Sequence, residues 1–218
     1  MVRPMRLRVT ETFFSVQGET SFSGQLCAFV RLTGCDLRCA WCDTEYSFTQ
    51  GEWRTFPALY GEIDGYGADY VCVTGGEPLL QGAVLPFMEG LLEQGKTVSL
   101  ETGGHRDIGA VDPRVHRIVD FKPPASGESA KVRWENVPLL TTTDEAKFVL
   151  AGREDYEWSL RVIAEHGLVG RVGHIFFSPV HGTLDPRVLA EWMLADNAPA
   201  RLQLQLHKHI WGTDVQGV

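Results

Sequence analysis

The chain has 218 residues, 44% of them hydrophobic and 22% charged, a globular composition with enough apolar residues for one sizeable core in a single domain spanning 1–218. Its 28 acidic against 20 basic residues leave a formal charge of −8, which argues against direct binding of polyanionic nucleic acid. No apolar run approaches the roughly 20 residues that span a bilayer, and the three arginines between Met1 and Arg8 lead into no apolar signal core, so a cytoplasmic protein with no membrane partner is expected.

Short apolar, β-branched or aromatic runs bounded by Gly, Pro or charge predict strands at Gln25–Leu32, Tyr70–Thr74, Thr97–Glu101, Arg117–Phe121, Lys147–Leu150, His174–Ser178 and Leu202–His207. Helical spacing predicts helices over Leu79–Gln94, Arg153–Glu165 and Pro186–Ala195. This alternation implies an α/β fold with a mostly parallel sheet and right-handed crossovers, with functional groups at the carboxyl ends of the strands. Too few strands and helices are present to complete an eight-fold barrel, so an incomplete (β/α) barrel is expected. The weakly periodic stretch 128–144, with Trp134 and Pro138, reads as a loop excursion.

Three of the five cysteines, Cys35, Cys39 and Cys42, fall within eight residues just after the first predicted strand. Their density and odd total fit metal ligands or free thiols better than disulfides. Zinc requires a fourth protein ligand to close a tetrahedral structural site, which one of the seven histidines could provide from a distance. A four-iron cluster on three cysteines leaves one iron open for a small molecule. Cys27 and Cys72 lie inside apolar runs and read as core fillers. The strand ending in Thr74 continues into Gly75-Gly76-Glu77-Pro78, where glycines allow close backbone approach and Glu77 offers an acceptor for an ammonium. In isolation these residues read as a turn.

The pattern Cys-x3-Cys-x2-Cys, with Trp41 before the last cysteine, resembles the cluster motif of the radical S-adenosylmethionine (SAM) enzymes, and Gly75 to Pro78 resembles their Gly-Gly-Glu-Pro motif. The flanking text is similar to the 7-carboxy-7-deazaguanine synthase family over nearly the whole chain. It includes Glu11 to Glu19, Phe29-Val30-Arg31-Leu32, Cys42-Asp43-Thr44, Glu101-Thr102-Gly103, Asp120-Phe121-Lys122-Pro123, Ser126-Gly127, Lys147-Phe148-Val149, Phe177-Ser178-Pro179-Val180 and Gln205-Leu206-His207-Lys208. The resemblance implies conversion of 6-carboxy-5,6,7,8-tetrahydropterin to 7-carboxy-7-deazaguanine with loss of ammonia, on the way to queuosine and related deazapurines, in a small, commonly dimeric incomplete barrel.

It also implies roles. Cys35, Cys39 and Cys42 hold a [4Fe-4S] cluster whose open iron binds SAM. Trp41, Gly75, Gly76, Glu77, Ser126 and Ser178 contact SAM, and Gln17, Gly18, Glu19, Arg31, Thr74 and His207 hold the pterin. Thr44 helps bind Mg²⁺, and an electron donor such as flavodoxin reduces the cluster. Arg31 is chemically suited to the substrate carboxylate because its planar fork donates two parallel bonds. Asp43 is expected to orient the loop rather than bind metal. The chain departs from the family at Asp36, where Asn is usual, and at Gly103, where Ser is usual. Its tail from Ile210 to Val218 is longer than in some relatives, which argues against a terminal carboxylate in the pocket. Rival readings are an activating enzyme that abstracts hydrogen from a glycine of a partner protein, and a noncatalytic zinc or electron-transfer module.

Overall fold

The computed structural model describes residues 5–213 and 215–218; the first four residues of the Met1–Arg8 stretch lie outside it. Its frame is one nine-stranded sheet in the order β3-β1-β2-β4-β5-β6-β7-β8-β9, from β1 (Arg6–Val16), β2 (Leu26–Leu32), β3 (Glu52–Thr55), β4 (Tyr70–Gly75), β5 (Thr97–Thr102), β6 (His116–Asp120), β7 (Glu145–Leu150), β8 (His174–Pro179) and β9 (Arg201–Leu202). From β2 to β9 every pairing is parallel. Six of these strands match those predicted from sequence, and β9 overlaps the seventh only at Leu202. β1 and β3 add an antiparallel edge, and the two ends of the sheet do not meet. The sheet is therefore mixed, mostly parallel and open.

Sequence patterning missed three elements. In β1, Arg6, Arg8 and Thr10 alternate with Leu7 and Val9 before the polar run Thr10-Glu11-Thr12 breaks the pattern, and the register shifts between Val9 and Glu11. Beyond β1, β3 is only four residues long. Helix α1 (Phe56–Tyr66) contains Gly61 and Gly65, which weaken its helical pattern. It is nevertheless punctuated by Pro57 in its first turn and a left-handed Gly67 at φ 68° after its last. The helix expected over Leu79–Gln94 starts later, as α2 (Val84–Glu93), after a short 3₁₀ turn at Pro78–Leu80. Both α3 (Arg153–Glu165) and α4 (Pro186–Ala195) match expectation. The predicted strand Leu202–His207 is corrected: only Arg201–Leu202 pair with β8, and Leu206–Trp211 form a short helix, α5. Its backbone is captured elsewhere, because Leu206 N–H donates to Gly18 O at 2.9 Å.

Strand alternation sorts the sheet into two faces. Val30, Val71, Val73, Val98, Leu100, Val119, Phe121, Phe148 and Phe177 face the helices, forming one core with Leu59, Phe87, Leu91, Tyr156 and Leu189. The other face carries a smaller apolar cluster of Phe13, Cys27, Phe29, Tyr70 and Cys72. Both isolated cysteines are thus fully buried packing residues. The 128–144 excursion holds only short 3₁₀ turns. It is tied to β6 by the buried Arg117–Asp144 pair, Nε to Oδ1 at 2.8 Å and Nη2 to Oδ2 at 2.5 Å. Among the described residues no helix is long and apolar enough to cross a membrane.

Candidate active site

The cysteine loop leaves β2 and packs directly on the glycines that end β4. Gly76 N–H donates to Leu32 O at 3.1 Å, and Glu77 N–H donates to Gly34 O at 2.7 Å. A Cβ on Gly76 would lie 2.3 Å from Gly34 O and 2.8 Å from Cys35 Cβ, and one on Gly75, at φ +150°, 2.4 Å from Leu32 O. What presses on Gly76 is the chain's own cysteine loop, and what presses on Gly75 is the end of β2 from which that loop departs. Further bonds pin the loop: Ala40 N–H donates to Ser126 O at 3.0 Å, and Lys208 Nζ donates to Asp43 Oδ2 at 2.8 Å. Asp43 therefore joins the loop to α5, the orienting role expected of it.

All three loop cysteines are free, partly buried and line one cavity of about 870 Å³, near the upper end of the ~300–1,000 Å³ typical of small-molecule sites. Burial pushes the Cys35 and Cys39 thiols up; a bound metal reverses this by stabilising the thiolate. Among the described residues no three His, Cys, Asp or Glu side chains converge on a single-ion site. A cubane does not ask for this, since each thiolate takes its own iron. Three uncommitted thiols opening on one cavity with a buried carboxylate fit a [4Fe-4S] cluster and an amino-acid-like ligand.

On the cluster side, Trp41, Gly75, Gly76, Glu77 and Ser178 line the cavity. Glu77 is fully buried; it accepts from Thr102 Oγ1 at 2.9 Å, Gly103 N–H at 2.8 Å and Leu79 N–H at 3.0 Å. The carboxylate is thereby fixed in place without a Lys or Arg partner among the described residues, which suits it to an ammonium. Ser126 is buried behind the loop, its hydroxyl donating to Pro123 O at 2.6 Å and accepting from Glu128 N–H at 3.1 Å. That hydroxyl is used within its own turn. The two departures from the family meet at His105. Its Nε2 lies 2.7 Å from Asp36 Oδ1, and a Cβ on residue 103 would sit 3.1 Å from its Nδ1. Burial raises the Asp36 carboxyl, but His105 and Arg106 outweigh it and hold Asp36 below its usual range, so its charge is compensated locally.

At the other end, Gln17, Glu19, Arg31, Thr74 and His207 line the same cavity. Arg31 donates through Nε to Glu11 Oε1 at 2.7 Å, which leaves its two terminal nitrogens without a protein acceptor among the described residues. Gln17 Oε1 accepts from Glu19 N–H at 3.1 Å, and Thr74 Oγ1 donates to Glu101 Oε2 at 3.0 Å. Burial keeps the His207 imidazole below its usual range, although Glu19 pulls the other way. Gly18 seats this histidine: a Cβ there would fall 2.2 Å from His207 Nδ1. Thr44 also lines the cavity; its hydroxyl makes no capping bond to the turn that follows and lies 3.7 Å from Cys42 Sγ. The expectation that the tail keeps a terminal carboxylate out of the pocket is corrected: the tail folds back, and Gly212, Thr213 and Val215–Val218 line the cavity.

Several lining residues were quoted above only as matching text and given no task. Glu101 on β5, Asp120 on β6 and Lys147 on β7 face the cavity, with Lys122 and Gln205 beside them. Their signal was available: a charged residue at an alternate position of an otherwise apolar strand faces whatever the apolar side does not. Tyr46 also lines the wall; burial and the bond it donates to Glu11 push its phenol up to about 12, against the pull of Arg31.

Comparison with known proteins accords with this arrangement. Residues 29–185 match the model of the radical SAM superfamily. The 7-carboxy-7-deazaguanine synthase of Chlorobaculum tepidum is 45% identical over 215 residues, covering 97% of each chain. That of Koribacter versatilis is 43% identical over 97% of this chain and 100% of its own. The crystal structure of QueE from Escherichia coli superposes with a TM-score of 0.77 at 25% identity, covering 93% of this chain and 95% of that one. This chain belongs to the radical SAM superfamily and, within it, to the 7-carboxy-7-deazaguanine synthases.

Proposed function

We propose that the chain converts 6-carboxy-5,6,7,8-tetrahydropterin to 7-carboxy-7-deazaguanine with release of ammonia, using a [4Fe-4S] cluster, SAM and Mg²⁺. The observation that carries this reading is that the cysteine triad and the set Gln17, Glu19, Arg31 and His207 line one continuous cavity. When bound, the cluster and SAM supply hydrogen-atom abstraction from the substrate; the protein supplies orientation and exclusion of water.

In this reading Cys35, Cys39 and Cys42 hold the cluster, and Glu77, with the Gly75–Gly76 backbone, takes the methionyl ammonium. Trp41 and Ser178 border the same ligand; Ser126 acts only through the turn that carries Ala40. The terminal nitrogens of Arg31 hold the substrate carboxylate, with Glu11 fixing the guanidinium from behind. Gln17, Glu19 and His207 read the aminopyrimidinone edge, and Thr44 contributes a hydroxyl to Mg²⁺, which suits hard oxygen donors and few protein ligands. Gly18 and Thr74 act on substrate indirectly, by seating His207 and by fixing Glu101. The reading includes an external electron donor such as flavodoxin, a homodimer and a cytoplasmic location. The relatives named above disfavour the activating-enzyme alternative.

The test is anaerobic incubation of reconstituted protein with SAM, Mg²⁺, a reductant and 6-carboxytetrahydropterin, followed by mass analysis. Formation of the deazaguanine acid with ammonia is expected. A fully iron-loaded protein that binds SAM yet leaves the pterin unchanged would overturn the proposal.

A further inference from the structure

Two partly buried lysines, Lys122 and Lys147, line the cavity, and the reading above gives neither a task. On adjacent parallel strands, Lys147 is the register partner of Asp120. Its Nζ makes an ion pair with Glu19 Oε2, the side chains being 12% and 9% exposed. The other Glu19 oxygen accepts from Gln205 Nε2 at 2.8 Å. Asp120 Oδ2 accepts from Lys122 Nζ at 2.7 Å, while Asp120 Oδ1 is buried with no hydrogen-bond partner among the described residues. Lys122, Asp120, Lys147 and Glu19 thus form a row of alternating charge from the Cys39 side of the cavity to its pterin end. Glu101 on β5, His207 and Lys208 on α5, and Asp43 of the cysteine loop also act on this row.

An aminopyrimidinone presents adjacent N–H donors, and a carboxylate receives them only while both its oxygens are acceptors and their direction is fixed. A carboxyl buried without a cation becomes protonated and offers a donor instead. We propose that Lys147 is a positioning residue for substrate recognition, holding the Glu19 carboxylate as a fixed acceptor for the N–H edge of the pterin without itself touching the substrate. The proposal rests on the substrate assigned above. Consistent with it, burial pushes the Glu19 carboxyl up, but the charge and hydrogen bond of Lys147, aided by His207 and Gln205, bring it below the usual range. Lys147 stays charged in turn: burial lowers it, and Glu19, Asp120 and Glu101 more than offset this.

The test is pterin affinity of the reconstituted holoenzyme in the presence of SAM, measured from about pH 9 down to about pH 6, with SAM affinity and iron content measured in parallel. The wild type is expected to be flat. Lys147→Met and Lys147→Gln are expected to bind the pterin about tenfold or more weakly at the acid end, the scale of a charge-assisted hydrogen bond, and to recover as pH rises and Glu19 ionises. Iron content and SAM affinity stay unchanged. Lys147→Arg keeps the charge and restores most of the affinity, and adding Lys147→Met to Glu19→Gln causes little further loss. A loss in Lys147→Met that is equal at every pH, or that persists undiminished in the Glu19→Gln background, would show direct contact and overturn the proposal, as would no loss at all. A wild type that binds SAM but no pterin would instead sink the substrate assignment.

Discussion

Gly76→Ala tests whether the Gly-Gly-Glu-Pro segment builds the cluster site mechanically. A methyl group there meets Gly34 O at 2.3 Å and Cys35 Cβ at 2.8 Å, where ordinary contact begins near 3.4 Å. The cysteine loop must therefore retreat by about 1 Å, because the opposing atoms are backbone and a Cβ rather than a flexible side-chain end. Overpacking of this kind costs ~1–3 kcal/mol. Weakening the Glu77 N–H to Gly34 O bond of 2.7 Å adds about 1 kcal/mol. The cost falls on the loop, so the expected outcome is a modest fall in global stability with a large loss of iron bound after anaerobic reconstitution. Iron and sulfide analysis, with visible absorption, reads the second effect; thermal melting of the apoprotein reads the first. Gly61→Ala is the control: nothing lies within 4 Å of its Cβ position, in the middle of α1, so a gain of about 0.5–1 kcal/mol and full iron loading are expected. If Gly76→Ala loads iron as completely and holds it as tightly as the wild type, the account of the glycines as the seat of the cysteine loop is wrong.

Asp144→Asn leaves the Arg117 guanidinium buried without its countercharge, a loss of ~3–5 kcal/mol that lowers the melting temperature by roughly 6–20 °C for a chain of this size, measured by calorimetry. Arg31→Lys cannot present two parallel donors while also holding Glu11, so pterin affinity should fall by about tenfold or more with SAM affinity unchanged; equal losses for both ligands in equilibrium dialysis count against the carboxylate role. His207 is held below its ordinary pKa mainly by burial, so between 6.5 and its lower folded value the unfolded chain binds more protons, and stability falls as pH drops through that window. His207→Gln should flatten this slope in pH-dependent denaturant melts, and an unchanged slope would show that the imidazole is not desolvated.

The fold was legible where the strands are buried on both sides. Six of the seven predicted strands occur near their expected bounds, because the parallel part of the sheet reads as short apolar runs with Gly or Pro at their ends; the seventh shrinks to the exposed pair Arg201–Leu202. The edge was illegible for the complementary reason: β1 carries alternating charge and β3 is only four residues long. The alternation of Leu202, Gln203, Leu204 and Gln205 suits a strand, and Gln203 N–H still donates to Phe177 O of β8 at 2.9 Å, but Leu206 N–H donates to Gly18 O at 2.9 Å. Tertiary bonding turns the segment into a helix just where His207 must enter the cavity. Gly18 was legible as part of a motif, but not as the space His207 occupies, since nothing local encodes a contact between residues so far apart in sequence.

The inward charges explain why an acidic chain can keep a cavity open to anionic ligands. The helix-facing side of the sheet forms the apolar core, where the one charged residue of β5, β6 and β7, Arg117, is neutralised by Asp144, and the charges that reach the cavity, Glu101, Asp120 and Lys147, sit at alternate positions. Parallel register then puts Asp120 beside Lys147. Because the inward cations Arg31, Lys122 and Lys147 are already paired with Glu11, Asp120 and Glu19, little reorganisation remains when ligands arrive, which is the condition under which fixed charges orient a reaction most effectively. Glu77 and Glu101 are the exceptions. Neither has a Lys or Arg within ion-pair distance among the described residues, though His105 Nδ1 lies 3.7 Å from Glu77. The negative charge available to incoming ligands is therefore concentrated at the ends of β4 and β5, against the cysteine loop, while Arg31 offers its free positive edge from β2. A ligand with an ammonium and a ligand with a carboxylate are thus drawn to different walls of the same cavity, and their reacting parts are left to meet between them.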